Sequence, residues 1–379
     1  MNFDVIITQF DYHNEISMIL SKKYNAKLCV IITCPKEKNN YLPKVYEELL
    51  GTCGVRKEII EVGDKEKIEN LLKEFQNKNT LINLTGGKRI NSLILLKEGS
   101  KLNINCTYVD ILENKEFFFE NEVIIKEGNF QDLNVEELIK LSGNDIKCDS
   151  NILCSKKDII SLSKIILKNL SLWEKNKGKL YDSNIFIHDY MDPLRIMVNK
   201  SMLKDEDKTL LNNVLKYLEG IKCINYIEGK EEIKIKFLNE YIKGFIFKSG
   251  TWLEVITKAA INEIQNIDDV KSGVEFLWGY EDGIVKNELD VVAIKDCRLV
   301  CISCKDSDKY DEDTLNELLV YSNRIGGKDV IKILVASKPP IKSSLIFRAK
   351  EMEINIVVLK DSIEELENEL INIIENKKK

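Results

Sequence analysis

Asp290 and Lys305 stand where buried strands should be apolar. Asp290 ends Asn287-Glu288-Leu289-Asp290 and leads into Val291-Val292-Ala293-Ile294. Lys305 ends the second run, Leu299-Val300-Cys301-Ile302-Ser303-Cys304-Lys305. Lys295-Asp296-Cys297-Arg298 lies between the runs and reads as a hairpin turn. Paired strands would bring a carboxylate and an ammonium together, and burying either is costly without a partner or a task. The pair is therefore either a structural ion pair or a chemical one. A second constellation lies far upstream. In Thr85-Gly86-Gly87-Lys88-Arg89 two glycines let the backbone approach a ligand, the following helix offers free N–H groups, and two cations add charge. That suits a phosphate. It is neither GxxxxGK[ST] nor GxGxxG, and a plain tight turn with two exposed cations has the same spelling.

The elements that must position these residues divide the chain into an N-terminal region of residues 1–145, a middle region of residues 146–245 and a C-terminal region of residues 246–379. Strands and helices alternate in the first region, and near-continuous apolar strands such as Leu28-Cys29-Val30-Ile31-Ile32 predict an open, parallel, Rossmann-like sheet covered on both faces. Ligands of such sheets bind outside the carboxyl ends of the strands. Here those ends carry Thr8-Gln9-Phe10-Asp11, Thr33-Cys34-Pro35-Lys36 and the Gly-Gly-Lys turn. A closing hairpin is expected over 110–119 and a linker over 127–151. In the middle, helices are expected over Ser155–Lys177, Leu194–Met202 and Ser201–Glu219, followed by a hairpin of Ile221–Ile227 and Ile233–Phe237. That order fits a winged helix, read either as a nucleic-acid contact or, as favoured here for want of a basic and aromatic run, as a spacer between the other two regions. The C-terminal order is a helix opening at Ser249-Gly250-Thr251-Trp252-Leu253-Glu254, a strand Val270–Tyr280, the hairpin, and then alternating helices and strands. It is that of a restriction-endonuclease-like α/β core.

Composition sets bounds. The 379 residues are 44% hydrophobic and 31% charged, with a net charge of -6, which argues against a uniformly basic duplex-binding protein. No apolar run approaches the roughly 18 residues of a membrane span. Ten scattered cysteines fit a reducing cytoplasm. Cys301 and Cys304 spell CxxC, but on a strand they face opposite ways and cannot share a metal. With two histidines, His13 and His188, a triad or a His-rich zinc site is not expected. Thr33 stands where a dinucleotide fold would end its second strand with an acid.

The N-terminal region resembles the CRISPR-associated Rossmann-fold (CARF) sensor domains, through Thr85-Gly86-Gly87-Lys88, the polar loop after the first strand and Asn91 one turn on. The family motif has a residue between the glycines and the lysine that is missing here. The resemblance implies a homodimer that binds a cyclic oligoadenylate, most simply cyclic tetra-adenylate, with Thr8, Gln9, Thr33, Pro35, Thr85, Gly86, Gly87, Lys88 and Asn91 as the binding residues.

The C-terminal region resembles the PD-(D/E)xK nucleases, in which carboxylates hold divalent metal ions that activate a water, and a lysine orients that water or offsets developing charge. Carried onto this sequence, the resemblance implies Asp290, Glu254, Ser303 and Lys305 as catalytic residues, and a Mn²⁺ or Mg²⁺ site of Glu254, Asp290 and the backbone at Cys304. Ser303 and Lys305 share a strand face that Asp290 can reach. Ser303 takes the position of the family's acidic residue, and a hydroxyl is a weaker ligand for a hard cation. Glu275 and Glu288 are candidate extra ligands, each better read as a solvated strand-edge charge. The order of the whole chain resembles the ancillary nucleases of type III CRISPR systems, implying an activated endonuclease that cuts single-stranded RNA or DNA and nicks duplex. The alternative is a ligand-responsive DNA-binding regulator with an inert nuclease-like domain.

Overall fold

The computed structural model describes residues 2–375 except 38–39, 52, 120–121, 129, 131–132, 249, 279–285, 328 and 361. Tyr280, the expected end of one strand, and Ser249, the expected start of one helix, lie outside the described residues.

The N-terminal sheet has seven strands. Gly54–Ile59, Leu28–Thr33, Val5–Gln9, Thr80–Asn83 and Asn105–Asp110 pair in parallel in that spatial order. Lys115–Phe119 and Val123–Glu127 continue it antiparallel. Every residue of Val5–Gln9 and of Thr80–Asn83 is buried, as a strand covered on both faces requires. The strand order reverses between these two, so the crevice outside Gln9 and Asn83 is the switch point of the fold.

The expected linker is structured. Val135–Leu141 is a helix with a capping box of Asn134 and Glu137, and Asn144–Cys148 is a strand at the edge of the C-terminal sheet, paired with Asp269–Trp278. Its mixed polarity reflects that edge position, where one flank faces water, and so it carries little apolar signal. In the middle region Leu194–Met202 is not a helix. Arg195–Asn199 is a strand that buries Ile196 and Val198, and a short 3₁₀ turn follows. The alternation of two residues decides this, because a strand repeats every second side chain. Phe186–His188 adds a further strand, giving an antiparallel sheet of four with Ile224–Glu228 and Glu232–Phe237. Asn169 divides the expected long helix into Lys157–Lys168 and Leu170–Asn176.

The C-terminal sheet runs Ile354–Val358, Ile331–Ala336, Arg298–Lys305, Lys286–Lys295, Asp269–Trp278, Asn144–Cys148. Its hairpin turn has Asp296 at φ 50° and Cys297 at φ 59°, the left-handed pair that a two-residue hairpin demands. The middle region shares one hydrophobic cluster with the face of this sheet that packs on the helix Thr251–Asn262, whereas Cys297 packs into the core of the N-terminal domain. The hairpin thus carries Asp290 and Lys305 at one end and touches the N-terminal domain with the other. No helix among the described residues is long and apolar enough to cross a membrane.

Candidate active site

The hairpin and the helix Thr251–Asn262 build the C-terminal site. Gly250 starts that helix at φ 91°, a conformation natural to glycine, and places Glu254 in its first turn. Val291 pairs with Ile302, so Asp290 stands beside Ser303. The Asp290 Oδ2 accepts the Cys304 backbone N–H at 2.6 Å and the Ser303 hydroxyl at 3.2 Å. Ser303, where a carboxylate was expected, therefore orients Asp290 rather than adding charge. Lys305 makes no ion pair with Asp290 among the described residues, so the two are not a structural salt bridge. The Lys305 carbonyl accepts the Ser337 N–H at 3.0 Å, which fixes the strand end.

The electrostatics show what this arrangement lacks. Burial, then the neighbouring Asp290, raises the Glu254 carboxyl to about 7, while Lys248 and Lys305 pull the other way. Burial also raises Asp290, against the Cys304 N–H, Lys305 and the Ser303 hydroxyl. A half-buried pair of carboxylates in which Asp290 opposes the ionisation of Glu254 suits a small hard cation. Among the described residues no group of three His, Cys, Asp or Glu side chains could hold a metal ion. A cation here would take Glu254 and Asp290, with backbone oxygen and water completing the shell. The Cys304 thiol does not fit that role: burial and then the two carboxylates push it well above the usual range, and it donates to Thr257 Oγ1 at 3.6 Å. Only its backbone is available. Cys301 and Cys304 belong to different core clusters, on opposite faces of the sheet.

Asp306, next in sequence, was not singled out from the sequence. It is buried, and its Oδ2 accepts the indole N–H of Trp252 at 2.8 Å and of Trp173 at 3.0 Å. Lys177 Nζ donates to its Oδ1 at 2.8 Å and to its carbonyl at 2.6 Å. This knot ties the middle region to the strand end that carries Lys305.

At the N-terminal switch point, Gln9 and the Gly-Gly-Lys turn form a cradle. The Gln9 amide donates to the Gly86 carbonyl at 3.3 Å and to Ser92 Oγ at 2.7 Å, and accepts the Lys88 N–H at 3.0 Å. Asp11 Oδ2 accepts the Gly87 N–H at 3.0 Å. Gly87 has φ 81°, and a Cβ there would overlap the Gln9 side chain. Lys88 is exposed, and although burial raises the Cys34 thiol, Lys88 is close enough to pull against that shift, so the second and fourth strand ends converge. Pro35 is exposed on the adjoining turn. Thr8, Thr33 and Asn91 are buried instead. Thr8 bonds Ser17 at 2.8 Å, Thr33 donates to the Cys34 carbonyl at 3.4 Å, and Asn91 accepts the Gly63 N–H at 2.8 Å. Thr85 Oγ1 accepts the Val109 N–H at 2.9 Å. Of these residues Thr85 lines the crevice, and Thr8, Thr33 and Asn91 do not. Asp11 and Ser92 are the additions. Ser92 follows Lys88 by one helical turn, a spacing that could have marked it. A cavity of about 560 Å³ runs from Gln9, Asp11 and Gly86 to Cys297 and Arg298 on the hairpin turn of the C-terminal domain.

Residues 242–377 match the family model of the Card1-like endonuclease domain. That match is confined to the C-terminal region. Its fold over 98% of its length matches 97% of Can2 from Sulfobacillus thermosulfidooxidans, solved with cyclic tetra-adenylate, at 16% identity and a TM-score of 0.71. Protein VC1899 from Vibrio cholerae matches 97% of the chain over 96% of its own, at 16% identity and a TM-score of 0.76. A type III CRISPR defence DNA nuclease activated by cyclic oligoadenylate matches 90% of the chain over 47% of its own, at 13% identity and a TM-score of 0.55. No curated protein matches the sequence.

Proposed function

We propose that this chain is a CARF nuclease, a homodimer that binds a cyclic oligoadenylate, cyclic tetra-adenylate being the first choice, at the cradle of Gln9 and Gly86-Gly87-Lys88, and then cleaves single-stranded RNA or DNA and nicks duplex with Mn²⁺ or Mg²⁺. The observation that carries the reading is the meeting of Glu254, Asp290 and Lys305 at one strand end inside a Card1-like endonuclease domain. Glu254, Asp290 and the Cys304 backbone would hold the cation. When bound, it would polarise the scissile phosphate and lower the pKa of the attacking water. Ser303 keeps Asp290 oriented. Lys305, on the same strand face as Ser303, positions the water and offsets charge gathering on the phosphate. Water adds to phosphorus, the ester P–O bond breaks, and the leaving oxygen takes a proton. The Ser303 hydroxyl thus has a place in the site, and the regulator alternative has no separate observation behind it. Plasmid and RNA cleavage with activator and metal tests the reading. Lys305→Ala should slow cutting about a hundredfold, the order set by losing one charge-stabilising donor, and undiminished cutting would count against it.

Coupling would run through the hairpin. The cavity beneath the cradle ends on Arg298 and Cys297, and Cys297 is packed in the N-terminal core. A ligand shifts an equilibrium only by binding one state better, so the cradle must be tighter when the hairpin is held in its cutting position. Gly87→Ala introduces a side chain at φ 81° that meets Gln9. The Gln9 side chain must then move out of the cradle it forms, so calorimetry should show cyclic tetra-adenylate bound about tenfold or more weakly, a loss of about 1.4 kcal/mol. Equal affinity would remove the cradle from the binding site.

Metal binding should depend on pH in a definite direction. The folded Glu254 carboxyl titrates at about 7, above its ordinary 4.5. Without metal, ionising it costs stability, so the stability it contributes is present at low pH and is lost as pH rises through about 7. A cation requires the ionised form and displaces the proton. Mn²⁺ affinity should therefore rise with pH through this range, with proton release measurable by calorimetry in buffers of different ionisation enthalpy below pH 7. A pH-independent affinity would mean that Glu254 is not a ligand.

A further inference from the structure

The sheet of the middle region keeps one face in the core, through Ile196, Val198, Ile233 and Ile235, and turns the other to solvent. On the open face Met197 lies beside Lys234, Lys234 beside Ile227, and Arg195 beside Lys236. Ile227, Lys234 and Lys236 are exposed, so cations alternate with apolar side chains on a surface the fold leaves uncovered. At the rim, the loop 189–193 presents Tyr190 at 100% exposure and Met191 at 93%. The loop is not slack. Asp189 Oδ1 accepts the N–H of Met191 at 2.8 Å and of Asp192 at 3.2 Å, Arg195 pairs with Asp192 at 2.9 Å, and Lys243 Nζ donates to the Pro193 carbonyl. Two large apolar side chains held out into water by a braced loop contribute nothing to the core and mark a contact site.

The loop leads towards the carboxylates. A cavity of about 380 Å³ lies against Pro193, Lys243, Phe247 and Lys248. A second, of about 150 Å³, shares Gly244 and Lys248 with it and reaches Thr251, Glu254 and Glu288. Lys248 stands on the common wall, and its charge favours the ionised forms of both Glu254 and Asp290. The acids along the way are Glu240 in the first cavity and Glu288 in the second, while Asp192 is neutralised by Arg195 and Glu232 pairs with Lys234 at 3.1 Å. Lys236, Lys248 and Lys243, whose ammonium also holds the Pro193 and Arg195 carbonyls, form a set of cations without a carboxylate partner among the described residues, beside an exposed aromatic ring, the combination that tracks a phosphate backbone and stacks unpaired bases.

We propose that the loop 189–193 and the open face beside it are the substrate track for single-stranded nucleic acid: Tyr190 stacks an unpaired base with Met191 alongside, and Lys243 and Lys248 carry successive phosphates to Asp290 and Glu254. The proposal rests on the nuclease reading above and adds residues that lie outside the carboxylate site. A duplex keeps its base faces covered, so this contact selects single strands.

The test uses the full chain with cyclic tetra-adenylate. Binding of a fluorescein-labelled oligouridylate and oligothymidylate is followed by anisotropy in EDTA, and cleavage is followed with Mn²⁺. The double variant Tyr190→Ala, Met191→Ala should bind both single strands about tenfold more weakly, the scale of one lost stacking contact, and raise KM while kcat holds. Tyr190→Trp should restore both, and nicking of a duplex should be unchanged. Unchanged affinity and KM, with wild type cutting normally, would overturn the proposal and leave the nuclease reading intact. Loss of binding together with a fall from dimer to monomer mass in light scattering would also overturn it, making the loop a contact between copies of the chain. Wild type that neither binds nor cuts any strand would overturn the nuclease reading, and this proposal with it.

Discussion

Asp290→Asn should reduce cleavage by about a thousandfold or more, because it removes the charge that anchors the cation while keeping nearly the same shape. The amide oxygen can still accept the Cys304 N–H and the Ser303 hydroxyl that Asp290 Oδ2 holds at 2.6 and 3.2 Å. The fold should therefore survive. Its stability without metal should be no lower above pH 7, since Glu254 loses the neighbouring carboxylate that, after burial, does most to oppose its ionisation. The stabilisation that Mn²⁺ gives wild type should be lost. Denaturant unfolding with and without Mn²⁺ separates the two effects. A variant that still cuts, or one that fails to fold, would show that Asp290 serves the structure instead.

Asp306→Ala is expected to have the largest effect on stability. Burial alone would raise the Asp306 carboxyl, yet Lys177 and the two indole N–H groups hold it below its ordinary range. Removing it takes one of the two carboxylates from the Lys177 ammonium and leaves the indole N–H groups of Trp173 and Trp252 without their acceptor. Breaking a buried pair in this way costs about 3–5 kcal/mol. Lys177 keeps Glu174 at 2.6 Å, which reduces the loss, so about 2–4 kcal/mol is expected from the urea midpoint. Because the knot also fixes the end of the Lys305 strand, activity should fall even where the variant remains folded. A midpoint within error of wild type would contradict the account of this junction.

What the sequence disclosed follows from how local each signal is. The hairpin was legible because Asp290 and Lys305 interrupt apolar strands joined by a two-residue turn, so one short stretch holds both the pattern and its exceptions. The parallel N-terminal sheet was legible for the same reason. Asp306 was not, because its partners Trp173 and Lys177 lie about 130 residues away, and only the folded chain gathers them. Arg195–Asn199 was read as helix because five residues of mixed type after a proline fit either period until burial of Ile196 and Val198 decides. The basic and apolar face of the middle sheet was invisible for a related reason. No run of sequence contains it: Arg195, Ile227, Lys234 and Lys236 come from separate strands and meet only in register. At the cradle, the sequence marked strand ends that the fold brings together but not the direction of each side chain, so Thr8, Thr33 and Asn91 lie buried, Asp11 was named in its run but not among the expected binding residues, and Ser92 passed unmarked.

The most direct test of the central claim is cleavage of a fluorescently labelled single strand by the purified full-length chain in four parallel conditions, with and without cyclic tetra-adenylate and with and without Mn²⁺. The account predicts cutting only where both are present, abolished by Asp290→Asn. Cutting indifferent to the activator, or none with both present, would contradict it.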